Sequence, residues 1–74
     1  MKNQIYFEVR TTLNNGSHYL EIPKFDTAIL AEKFAQKKIT EKQVKHCQIF
    51  EYNQFLQEGK TVIKLLTTLK KSVK

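Results

Sequence analysis

Two neighbouring pairs in this sequence carry side chains capable of nucleophilic chemistry, Ser17-His18 and His46-Cys47. A hydroxyl or thiol nucleophile needs a histidine within hydrogen-bonding reach, and that histidine must itself be oriented, usually by a carboxylate. Neighbours on an extended strand point to opposite faces, so His46 is badly placed to activate Cys47, and Ser17-His18 sits beside a turn with equally poor geometry. The carboxylates Glu8, Glu21, Glu51 and Glu58 are scattered, with no spacing that suggests a general acid and base. His18, His46 and Cys47 are too few for a structural zinc site, which takes about four ligands in closely spaced pairs. Cys47 reads instead as a small buried hydrophobe. Gly59-Lys60-Thr61 matches the end of a phosphate-binding loop, but Gln54 stands where the first glycine of that loop belongs, so the segment reads as a turn. These residues predict no catalytic site, no metal and no cofactor. The chain is expected not to be an enzyme.

Charge is the stronger signal. The 74 residues carry 13 Lys and Arg against 7 Asp and Glu, a net charge of +6. Residues 1–59 hold eight basic and seven acidic groups, a net of +1, and the other +5 comes from Lys60, Lys64, Lys70, Lys71 and Lys74 with no acid among them. Lys33 and Lys37 lie one helical turn apart on a solvent face, and Lys42 and Lys45 follow closely. Together with Lys64, Lys70, Lys71 and Lys74 they are the candidate nucleic-acid-binding residues, since each phosphate they neutralise releases counterions. Lysine without arginine suits backbone attraction better than base readout. On the helix alone, the lysines read better as an ordinary solvated face, with Glu32 and Glu41 in partial compensation. A second candidate surface is Tyr6, Arg10 and Tyr19, a combination suited to a protein partner or to stacking of bases.

The elements that must position these residues begin with a β-hairpin. Ile5, Phe7, Val9, Thr11 and Leu13 alternate with Gln4, Tyr6, Glu8, Arg10 and Thr12. Asn15-Gly16 predicts a two-residue type I′ turn, in which both central residues need positive φ. Counting outward from that turn sets Leu13 opposite His18, Thr11 opposite Leu20 and Val9 opposite Ile22. The other face then pairs Thr12 with Tyr19 and Arg10 with Glu21, placing Tyr6, Arg10 and Tyr19 on one side and His18 on the other. Pro23 should end the second strand or mark an edge.

Asp26 is the expected N-cap of a helix running to about Ile39, with Phe25 stapled onto Leu30. Leu30, Phe34, Ala31, Ala35, Ala28 and Ile39 form its apolar arc. Lys38 intrudes on that arc, where its long stem can reach water. Val44 to Leu56 reads as a third strand, Glu58-Gly59 as a turn, and 60–67 as a fourth strand. Val62, Leu65, Leu66, Leu69 and Val73 also fit an amphipathic helix, although the β-branched run at 61–63 favours the strand. The expected fold is a small α+β domain, ββαββ, an antiparallel sheet with one helix packed on one face, over residues 1–69, followed by a basic tail at 70–74.

Composition agrees with a folded domain. Hydrophobic residues make up 41%, with five Phe and three Tyr, enough apolar surface to offset chain entropy. A chain this short buries only about 60–65% of its unfolded surface, so a monomer or a small oligomer such as a homodimer is expected. The single cysteine rules out an internal disulfide and fits a reducing, cytoplasmic setting. The longest apolar run, Ala28-Ile29-Leu30-Ala31, is far short of a membrane span of about 18 residues.

The layout, a hairpin, then Phe25-Asp26-Thr27-Ala28 leading into a helix with Ala31-Glu32-Lys33-Phe34-Ala35, then two more strands, resembles several small proteins of phages and mobile elements, including compact anti-CRISPR inhibitors. The resemblance implies a protein that blocks or adapts a larger nucleic-acid machine by occupying its surface. The expectation is a non-catalytic binding module acting on nucleic acid or a nucleoprotein complex. The rival reading is a protein–protein interaction module or inhibitor.

Overall fold

A computed structural model describes residues 3–21 and 24–71. The elements are β1 (Asn3–Leu13), β2 (His18–Leu20), α1 (Ala28–Lys38), β3 (Val44–Phe55) and β4 (Lys60–Lys70). The strands form one antiparallel sheet in the order β2-β1-β3-β4. This is the expected ββαββ arrangement, with α1 packed against β1 and β3. Residues 60–70 are a strand, so the helical alternative does not hold over that range; Val73 and Lys74 lie outside the described residues.

The first hairpin differs from the expected register by one residue. Arg10 pairs with Leu20, Thr11 with Tyr19 and Thr12 with His18. The Leu13 N–H donates to the Ser17 carbonyl at 2.7 Å, and the Gly16 N–H returns to the Leu13 carbonyl at 2.9 Å. The loop is therefore Asn14-Asn15-Gly16, a three-residue connection closed by a glycine at φ 93°, and Asn15 keeps a negative φ. A type I′ turn would need Asn15 in the left-handed region. Here the Asn15 side chain instead accepts from the Ser17 N–H at 2.9 Å, which stabilises the longer turn. Gly16→Ala would meet no neighbour within 4 Å but would hold a Cβ at positive φ. It should cost about 1 kcal/mol, read from the midpoint of urea unfolding.

A shift of one residue exchanges the faces of β2. Tyr19 now shares the helix side with Thr11, and His18 and Leu20 share the open side with Thr12 and Arg10. The expected Arg10–Glu21 pair does not form. Glu21 accepts instead from the hydroxyl of the fully buried Thr11, Oγ1 to Oε2 2.6 Å, with Lys38 Nζ at 3.8 Å from the same oxygen. Lys38 also lies 3.4 Å from Glu41. Its presence on the apolar arc is thus explained: it supplies the counter-charge for a carboxylate turned toward the core. Burial disfavours the Lys38 ammonium, but contact with Tyr19, Glu21 and Glu41 outweighs that and raises its pKa.

The helix begins one residue later than expected. Thr27, in extended conformation, is the N-cap and accepts from the Leu30 N–H at 3.3 Å, while Asp26 stays exposed. Phe25 does not staple onto Leu30, which is 48% exposed. It joins the edge of the sheet through reciprocal backbone bonds with Phe7 and packs its ring 5.3 Å from that of Phe34. The reason is the bridge to Phe7: it holds Phe25 in the sheet, so the chain turns into the helix only after Asp26. Ile22 and Pro23, the expected strand end, lie outside the described residues.

The core is small and lies toward one end of the sheet. Phe7, Val9, Val44, Cys47 and Ile49 meet Ala31 and Ala35 of α1, with Leu13, Phe25, Phe34, Ile39 and Leu69 around them. Two bulges set this pattern. Leu13 pairs with Val44 while Thr12 pairs with His46, so Lys45 is the extra residue and Val44 turns inward. Ile49 pairs with Thr67 while Phe50 pairs with Leu65, so Leu66 is extra; Leu69 then falls on the core side and Leu65 on the open side. An 11-residue helix is only about 16 Å long, whereas 12-residue β3 spans about 40 Å. The far half of the sheet therefore has no helix over it, in a molecule 48 Å in its longest dimension.

Candidate nucleic-acid interface

The bulge at Lys45 does more than complete the core. Strict alternation from Cys47 would send Lys45 inward; the extra residue leaves it exposed at the end of the sheet. There it meets β4, because His46 pairs with Lys70. Among the described residues, Asn14, Lys45, His46, Lys70 and Lys71 line one open cleft of about 510 Å³, with no carboxylate among them. Asn14 is fixed by its side-chain bond to the Lys42 carbonyl at 3.0 Å, which also holds Lys42 near the cleft. Lys71 Nζ donates to the carbonyls of Glu41 at 2.6 Å and Lys42 at 3.0 Å. Lys71 thus ties the end of β4 to the α1–β3 loop, and Lys70 is part of β4, so neither is detached from the body of the domain.

The open face of the sheet continues from this cleft. Tyr6 pairs with Tyr52, Glu8 with Phe50 and Arg10 with Gln48 across β1 and β3, and all project away from α1. The Tyr6 and Tyr52 rings stack at 5.0 Å with an interplanar angle of 5°. Lys24 Nζ sits 4.6 Å from the Tyr6 ring, and the Arg10 guanidinium 4.9 Å from that of Phe50. Burial, with the Glu8 carboxylate beside it, pushes the Tyr52 phenol up. From one end to the other this face presents Lys70 and His46, then Arg10 on Phe50, then the Tyr52–Tyr6–Lys24 stack.

The expected sites are only partly assembled. Lys45, Lys70 and Lys71 come together in the cleft, and Lys42 adjoins it through its backbone carbonyl. Lys33 and Lys37 are exposed on α1 but do not line the cleft, Lys64 stands midway along β4 opposite Glu51, and Lys74 lies outside the described residues. Tyr6 and Arg10 share the open face, whereas Tyr19 faces the helix side, 6.0 Å from Lys38 Nζ, so the expected trio is divided by the hairpin register. Asn14, His46, Lys24, Phe50 and Tyr52 were not foreseen as surface partners. Tyr52, Phe50 and His46 share one parity along β3, a signal that gains meaning only once β3 is known to lie beside β1.

Cys47 is fully buried on the core side, with His46 on the opposite face. Burial pushes its thiol pKa up, and the Thr11 hydroxyl lies 3.9 Å from Sγ. A buried, protonated thiol is a poor nucleophile. In native protein at pH 8, Cys47 should react with a disulfide reagent at least ~100-fold more slowly than in urea, because reaction requires opening of the domain. Comparable rates would show that the thiol is accessible. Among the described residues no group of His, Cys, Asp or Glu is arranged to hold a metal ion, and no helix is long and apolar enough to cross a membrane.

The architecture is that of a four-stranded antiparallel α+β domain with one sheet face partly covered by a helix and the other open. No protein-family model, curated protein or solved structure matches the chain.

Proposed function

We propose that this protein is a non-catalytic, cytoplasmic binding module that engages nucleic acid, alone or within a nucleic-acid-handling complex. The observation that carries the proposal is the cleft lined by Lys45, His46, Lys70 and Lys71, with no carboxylate among its described lining residues. Lysines gathered in this way attract a phosphate backbone as point charges and read no sequence. The open face leading from the cleft supports a single strand more than a duplex. A strand laid along it passes Arg10 on Phe50 and the Tyr52–Tyr6 stack, the mixture of cations and rings that tracks an unpaired backbone and its bases.

The test is a fluorescence-anisotropy titration of the full chain against labelled single-stranded and duplex oligonucleotides at low and moderate salt. Binding to the single strand should be tighter and should weaken steeply as salt rises. Absence of binding to either at low salt would overturn the proposal.

A further inference from the structure

The two edges of the sheet are built differently. The β2 edge has only three residues, and Phe25 adds a single bridge beyond it. The β4 edge is 11 residues long, contains no proline, and is exposed at every position except Leu69. Among the described residues no strand lies on its outer side, so its backbone is a template for one more strand. Each face carries exposed apolar side chains among its lysines and threonines: Ile63 and Leu65 on the open side are 56% and 47% exposed, and Val62 on the other is 43% exposed. Leu56, beyond the end of β3, and Ile5 of β1 extend this bare region.

We infer that the outer edge of β4 accepts an extended polypeptide segment of a protein partner, with apolar and acidic residues in alternation, as a fifth strand of the sheet. Charge selects the occupant. β4 carries Lys60, Lys64 and Lys70 and no acid. A second copy fits poorly, since its β4 edge would bring the same three lysines and no acid to pair with them. Like charges directly opposite destabilise a strand pair, and opposite charges support it. Lysine on an edge strand is a common guard against self-pairing; here it also favours an acidic strand. Main-chain bonds would supply affinity, and side chains against Val62, Ile63 and Leu65 would supply specificity. The surface shares only Lys70 with the basic cleft, and Lys60 and Lys64, the lysines varied in the test, do not line that cleft, so the inference can fail or hold independently of nucleic-acid binding.

The test uses the full chain and two designed peptides, one alternating Val or Ile with Glu and Thr, the other with Lys in place of Glu. Binding would be followed by amide chemical shifts and hydrogen exchange. The acidic peptide should bind at least ~10-fold more tightly than the basic one, and newly protected amides should fall on β4. Lys60→Gln/Lys64→Gln should weaken the acidic peptide by about 10-fold, with an unchanged amide spectrum elsewhere showing that the variant is folded. Equal affinity for both peptides, protection outside β4, or a concentration-dependent dimer whose β4 amides are already protected would overturn the inference.

Discussion

Ile49→Ala should leave the domain largely unfolded near physiological temperature. Ile49 is 2% exposed and pairs on one side with Val9, which is fully buried, and on the other with Thr67. Truncating an isoleucine in such a place costs about 2–5 kcal/mol, the removed atoms plus the cavity they leave. A domain of this size with one core and no cross-link holds about 3–5 kcal/mol in all. In a chain of this length each kcal/mol shifts the melting temperature by about 4–8 °C, so a fall of roughly 8–40 °C is expected by circular dichroism. Ile63→Ala provides the contrast. Ile63 is 56% exposed on the open face, and its removal should change stability by no more than about 0.5 kcal/mol. Equal effects at the two positions would mean that the packing centre is not where these contacts place it.

That contrast also marks what the sequence could convey. Alternation of Phe7, Val9 and Thr11 and the arc of Ala31, Phe34, Ala35 and Ile39 are local periodicities, and they give the elements and most of the core. Register is not local. The hairpin depended on whether Asn15 would adopt positive φ, and a side-chain bond to the Ser17 N–H decided it for the longer loop. That one-residue shift moved Tyr19 to the helix side, brought Glu21 to Thr11, and explained a lysine on the apolar arc. The bulges at Lys45 and Leu66 leave no composition signal, because each is fixed by which residues β1, β3 and β4 place opposite one another. The cleft depends on the first of these and on β4 lying beside β3. Its lysines were legible as a set; their separation from Lys33, Lys37 and Lys64 was not.

The bulge makes the binding proposal sharp enough to dissect. Lys45→Gln/Lys70→Gln removes two exposed ammonium groups of the cleft and leaves Lys71 in place, since Lys71 holds the Glu41 and Lys42 carbonyls and its loss would disturb the fold. Each phosphate contact with a single strand contributes about 0.7 to the slope of log K against log salt. Loss of two should make that slope shallower by about 1.4. If their contribution fades near 1 M salt, affinity at about 50 mM salt should fall roughly 65-fold. Lys33→Gln/Lys37→Gln removes the same charge from α1, outside the cleft, and should weaken binding by no more than about twofold, through the general field of the protein alone. Equal losses in the two variants would mean that net charge rather than the cleft attracts the strand. A loss confined to the cleft variant would also require that the end of β4 act as part of the folded surface, because Lys70 reaches the site only through its pairing with His46.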